Sequence, residues 1–90
     1  MGDKMENNYI LIDIRESYEF KMGHIKDAIN IPIDLLELMP ERYLLKDKIY
    51  HLYCGKGIKS KELSLKLNNK GYNTSSLDKG YDEWKLGNIN

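Results

Sequence analysis

The chain has 90 residues, 41% of them hydrophobic and 31% charged, enough for one globular domain with a single hydrophobic core. Fourteen Lys and Arg balance fourteen Asp and Glu, which argues against a general electrostatic grip on nucleic acid or on an anionic membrane. One cysteine rules out an internal disulfide framework and a multi-cysteine zinc site, and no apolar run approaches the ~18 residues of a membrane span.

Residues 1–8 are polar and read as a loose lead-in to a domain over 9–90. They lack the apolar stretch of a secretory signal, so the expected location is cytoplasmic. Tyr9 to Ile14 is short, Ile-rich and almost wholly apolar, the pattern of a strand buried on both faces. Glu16 to Met22 fits a short helix stopped by Gly23, and Ala28 to Ile31 fits a second strand ended by Pro32. Asp34 is expected to cap a helix through Leu38. Pro40 interrupts it, and Glu41 to Leu45 makes a further turn or two. Lys48 to Tyr53 is the third strand. Ile58 to Asn69 is a helix, with Leu63 and Leu67 on one face and Gly71 as its stop. A fourth strand is placed at Tyr72 to Leu77 and a last helix at Gly80 to Leu86, with Trp84 on its inner face. The alternation of strands and helices predicts an α/β domain with a mainly parallel sheet flanked by helices.

Ligands of such sheets bind beyond the carboxyl ends of the strands. That rule singles out Asp13-Ile14-Arg15 and the segment Cys54-Gly55-Lys56-Gly57-Ile58-Lys59-Ser60. Two glycines let successive amides of the second segment turn toward one point, and the positive end of a helix stands behind them. A thiol there can fall from a pKa near ~8.5 to roughly 3.5–7.5. Lys56, Lys59 and Lys61 add positive charge, so the loop is suited to hold a nucleophilic thiolate and to receive an anion that reacts with it. Ser60 is expected to support the helix start by capping, with a hydrogen bond to the thiolate side. The bland alternative is that Cys54 is a small buried hydrophobe. A dinucleotide fingerprint needs glycine where Ser60 stands, and the chain has no Gly-Lys-Ser or Gly-Lys-Thr of a P-loop. His51, three residues before Cys54 on a strand, points to the opposite face and is not expected to act as its base. One Cys and two separated His offer no metal site.

Four blocks in order resemble the rhodanese-like domain: Leu11 to Phe20, Gly23 to Pro32, Tyr53 to Ser60, and Leu77 to Trp84. They span about residues 9–86. The resemblance implies a three-layer domain around a central, mainly parallel sheet. It implies sulfur transfer: the Cys54 thiolate takes a sulfane sulfur from thiosulfate or another persulfide donor, forming a persulfide. Cyanide or a thiol then removes it. The implied partners are these small molecules or a protein persulfide carrier, with no nucleic acid, membrane, metal or cofactor. Gly55, Lys56, Gly57, Ile58, Lys59 and Ser60 form the implied anion-binding loop. Asp13 is expected to fix that loop through hydrogen bonds, or only to pair with Arg15, which shapes the pocket. His24 is expected to be a structural hydrogen-bonder and Trp84 a core residue.

Phosphatases and arsenate reductases resemble this fold but carry one more residue in the loop; four residues between Cys54 and Lys59 fit sulfur. Three positions depart from the family pattern. Lys59 stands where Arg is usual, Asp27 where Gly is usual, and Lys79 where the first of two glycines is usual. The family also begins with an extra strand and helix, whereas eight residues precede Tyr9 here, so one sheet edge is expected to be shortened. These departures leave open a non-catalytic binding or redox-sensing module. A small phosphatase or arsenate reductase is the third reading.

Overall fold

A computed structural model describes residues 8–87 of the protein. Most of the expected lead-in at 1–8 lies outside the described residues. Four strands, β1 (Ile10–Asp13), β2 (Ile29–Asn30), β3 (Ile49–Tyr53) and β4 (Asn73–Ser76), form one sheet in the order β2-β1-β3-β4, all parallel. Helices α1 (Ser17–Met22), α2 (Ile33–Leu38), α3 (Ile58–Asn69) and α4 (Tyr81–Gly87) connect or follow them, with a 3-10 turn at Pro40–Arg42. Each expected strand is present and shorter by a residue or two at its ends.

The apolar runs are explained by burial on two faces. On β1, Ile12 packs with the larger core cluster and Leu11 with the smaller one; just beyond β1, Ile14 joins the larger. On β3 the division repeats, with Tyr50 and Leu52 on one side and Tyr53 on the other. The larger cluster also takes Leu36 from α2 and Leu63 and Leu67 from α3. The smaller one includes Phe20 of α1 and Tyr81 and Trp84 of α4. Helices therefore cover both faces of the sheet.

Two local expectations change. Asp34 does not cap α2. Pro32 precedes the helix, and its carbonyl accepts the amides of Leu35 and Leu36 at 3.0 and 3.1 Å, which leaves Asp34 in the first turn near the helix dipole. Ser60 is not the cap of α3 either: Gly57 holds that position with φ of 89°, and Ser60 lies in the first turn. The segment after Pro40 makes one tight turn, closed by the Leu44 amide on the Pro40 carbonyl at 2.8 Å. The stop of α3 is as expected. Gly71, at φ of 99°, donates to the Asn68 carbonyl, and Tyr72 donates to the Leu67 carbonyl, a Schellman motif whose ends meet in the core. Asp27 has φ of 70°, the left-handed region that explains why glycine is the easier residue there.

Candidate active site

β1 and β3 pair with Asp13 opposite Tyr53, and the Ile14 amide donates to the Tyr53 carbonyl at 3.0 Å. This register brings the carboxyl ends of both strands together, so Cys54 sits beside the Ile14–Arg15 segment. Cys54, just past β3, is on the face covered by α2 and α3. Cys54 is 7% exposed and forms part of the wall of a cavity of about 380 Å³. Ile14, Ile33 and Ile58 give that cavity apolar walls, and Glu16, Glu19, Lys56 and Lys59 give it charge of both signs.

The loop turns its amides onto the sulfur. The Gly57 and Ser60 amides donate to Cys54 Sγ at 3.2 and 3.4 Å, and Ser60 Oγ lies 3.5 Å away. The loop carbonyls are drawn the other way: those of Cys54 and Gly55 accept the amides of Tyr81 and Asp82 at 2.7 and 3.0 Å. The α4 start thus holds the loop from behind. Burial pushes the Cys54 thiol up, but hydrogen bonds from Ser60 (hydroxyl and amide), Gly57 and Lys59 outweigh it and leave the thiol below its ordinary value. Two glycines make this packing possible. Gly57 adopts a left-handed conformation, and a Cβ on Gly80 would lie 2.1 Å from the Gly55 carbonyl oxygen. Lys79, at the position expected to hold a glycine, is exposed.

Asp13 is fully buried and takes the pairing role. Its carboxylate accepts Arg15 Nε and Nη2 at 3.0 and 2.7 Å and the Arg15 amide at 2.9 Å, with no bond to the Cys54 loop among the described residues. Arg15 Nη2 also donates to the Gly23 carbonyl at 2.7 Å, and the guanidinium lies 4.1 Å over the Tyr81 ring. Burial pushes the Arg15 guanidinium down, but its bond and charge attraction to Asp13 raise it further, so it stays charged. The pair ties β1, α1 and α4 together while Arg15 forms part of the cavity wall.

The remaining residues divide. Lys56 lies 3.9 Å from Asp82 in an exposed ion pair, and Lys59 borders the cavity. Lys61 borders a second cavity and contributes nothing to the first. His51 is on the face opposite Cys54 and stacks on Tyr9 at 4.0 Å between ring centres. His24 Nδ1 is 2.8 Å from the Phe20 carbonyl, in keeping with a structural role. Trp84 is half-buried and stacks on Tyr81. Sequence reasoning missed Glu16, Glu19 and Ile33, which are placed by α1 and α2 packing, and it missed Ser76. The rule that sites gather at strand ends applies to β4 as much as to β1 and β3, and would have pointed to Ser76 and Gly80.

The Rhodanese-like domain family matches residues 2–86. The chain belongs to the rhodanese-like domain family. A solved rhodanese-related protein from Thermoplasma volcanium superposes with a TM-score of 0.81 at 29% identity, covering 97% of this chain and 86% of that one. Bacillus anthracis CoADR-RHD in its reduced form gives a TM-score of 0.76 at 36% identity, covering 86% of this chain and 14% of that one. Among curated proteins, the tRNA uridine(34) hydroxylase of Bdellovibrio bacteriovorus is 36% identical over 74 residues, which is 78% of this chain and 21% of that protein. The protein of the same name from Wigglesworthia glossinidia brevipalpis is 33% identical over 86 residues, 89% of this chain and 27% of that protein. The chain thus spans about a quarter or less of these curated relatives. No helix among the described residues is long and apolar enough to cross a membrane.

Proposed function

We propose that this protein is a sulfurtransferase that works through a Cys54 persulfide. The observation that carries the reading is Cys54 at a cavity wall, its sulfur held by the Gly57 and Ser60 amides at 3.2 and 3.4 Å. In the first step the thiolate attacks the outer sulfur of a sulfane donor. With thiosulfate, the bond between the two donor sulfurs breaks, sulfite leaves with the electron pair, and Cys54 carries the transferred sulfur as an anionic persulfide. In the second step cyanide or a thiolate takes that sulfur and restores the Cys54 thiolate. The charge on sulfur is conserved through both steps. Amides that hold one thiolate hold the persulfide anion as well, with no proton to move in between.

The cavity favours a persulfide carried by a thiol, small or protein-borne, over thiosulfate. Glu16 and Glu19 offset Lys56 and Lys59, and Arg15 is neutralised by Asp13, so a dianion meets little net attraction. Lys59 also lacks the planar fork that grips a sulfonate on two oxygens. The named activity of the curated relatives belongs to much longer proteins; what this chain shares with them is the rhodanese-like segment.

Incubation with a sulfane donor followed by intact mass tests the reading. A gain of one sulfur atom is expected, removed by cyanide and missing in Cys54→Ser. A folded protein that gains no sulfur from thiosulfate or from a thiol persulfide favours the non-catalytic binding or redox-sensing module instead.

A further inference from the structure

Ser60 is fully buried, and its hydroxyl stands between two groups. Cys54 Sγ is 3.5 Å away on one side and Ser76 Oγ 2.7 Å away on the other. Ser76, at the end of β4, borders a second cavity of about 160 Å³ between α3 and the loop after β4. That space has room for several water molecules and shares no lining residue with the Cys54 cavity. Two hydroxyls therefore bridge the buried thiol and a second cavity, separate from the one that Cys54 itself lines.

We propose that Ser76 keeps the Ser60 hydroxyl aimed at the Cys54 thiolate, the two hydroxyls forming a relay along which the thiol proton leaves to the second cavity. Ser76 is then a positioning residue of the site. The steps balance. The S–H bond breaks and its proton goes to Ser60 Oγ. The original Ser60 proton passes to Ser76 Oγ, and the original Ser76 proton passes to water in the second cavity. Each oxygen ends with one proton, and every hydrogen bond in the row has reversed. The starting orientation is available: the thiol donates to Ser60, Ser60 to Ser76, and Ser76 can turn to the Leu77 carbonyl at 3.2 Å or to solvent. The final orientation has Ser76 donating to Ser60 and Ser60 donating to sulfur. Without Ser76, the Ser60 hydroxyl has the Gly57 carbonyl at 3.4 Å as its competing acceptor. A row of hydrogen bonds also polarises itself, so the outer hydroxyl strengthens the bond at sulfur.

The inference rests on the reading of Cys54 as a reactive thiolate, and its test uses no sulfur donor. The rate of Cys54 alkylation by iodoacetamide is measured against pH for the parent, Ser76→Ala, Ser60→Ala and the double variant. In Ser76→Ala the midpoint is expected to rise by about half a unit, an alkylation roughly threefold slower below it, with the limiting rate at high pH unchanged. Ser76→Thr is expected to restore the parent profile and Ser76→Val to match Ser76→Ala, which controls for packing. In the Ser60→Ala background, loss of Ser76 is expected to add nothing. Arg15, Glu16 and Glu19 from the β1–α1 segment and Lys56 and Lys59 from the loop face the thiol or its cavity. Lys61 and Asp78 border the second cavity. All are kept in every variant, so their fields act on each profile alike. Superposable profiles for parent and Ser76→Ala overturn the relay. So does an equal shift in the Ser60→Ala background, or a fall in the limiting rate. A parent midpoint at the ordinary thiol value sinks the thiolate reading itself, whereas a failed relay leaves the persulfide mass gain untouched.

Discussion

At the scale of single residues, the proposed chemistry turns on how neutral backbone groups hold a negative sulfur. The groups around Cys54 Sγ are the Gly57 and Ser60 amides, fixed by backbone geometry, and the Ser60 hydroxyl, which can turn. The amides need no reorganisation when charge appears, which a flexible ammonium does not match. Under the proposed function, Lys59 therefore bears on the donor more than on the sulfur. Arginine there can grip two sulfonate oxygens at once, so Lys59→Arg is expected to raise thiosulfate turnover, by roughly 3- to 10-fold. Steady-state assays with thiosulfate and cyanide check this; a fall in turnover would show the lysine to be matched to that donor after all.

Among elements, the loop after β3 and the start of α4 work as one piece. The α4 amides of Tyr81 and Asp82 bind the loop carbonyls, and this contact needs Gly80 to come against the Gly55 backbone. A methyl group there meets backbone atoms that cannot swing aside. Gly80→Ala is thus expected to destabilise the fold by about 1–3 kcal/mol, through overpacking. It is also expected to slow Cys54 alkylation at neutral pH by displacing the loop. Urea titration and alkylation rates report the two effects separately. Unchanged values for both would mean the loop does not depend on α4. The seam between α3 and β4 is polar by comparison: Ser64 and Thr74 hydroxyls lie 2.9 Å apart, and Asn68 accepts the Thr74 amide at 2.9 Å. Side chains of α3 thereby satisfy an edge-strand amide that the ladder leaves open.

Over the whole molecule, the Cys54 thiol couples to folding. A thiol whose folded value lies below its unfolded value adds stability that is present above the unfolded value, near 9.0, and is lost as pH falls through the lowered folded value. Cys54→Ala removes that dependence. The stability difference between parent and Cys54→Ala is expected to grow as pH rises from the folded value to the unfolded one. Urea unfolding at a series of pH values measures it, and a difference that stays flat across that window would show that the sulfur titrates alike in both states.

The linear order of residues determined the element types, the parallel α/β class and the loop that carries Cys54. Local chemistry suffices for these: β-branched runs between turn residues, Leu63 and Leu67 one helical turn apart, Gly71 beyond a helix end, and glycines around a lone thiol. The caps were read less well, because Asp34 and Ser60 have the composition of a cap while Pro32 and Gly57 hold the position. Tertiary structure alone decided what gathers around the loop from elsewhere in the chain. Whether Asp13 would meet the loop or Arg15 was left open by position, and the fold chose Arg15 because Gly23 and Tyr81 complete the cradle around its guanidinium. Ser76 lies 22 positions after Cys54, and only the β3–β4 register, with Leu52 opposite Ser76, brings it against Ser60. Contacts of that kind depend on which strands become neighbours, and that is settled by burying both faces of the sheet together, a property of the chain as a whole.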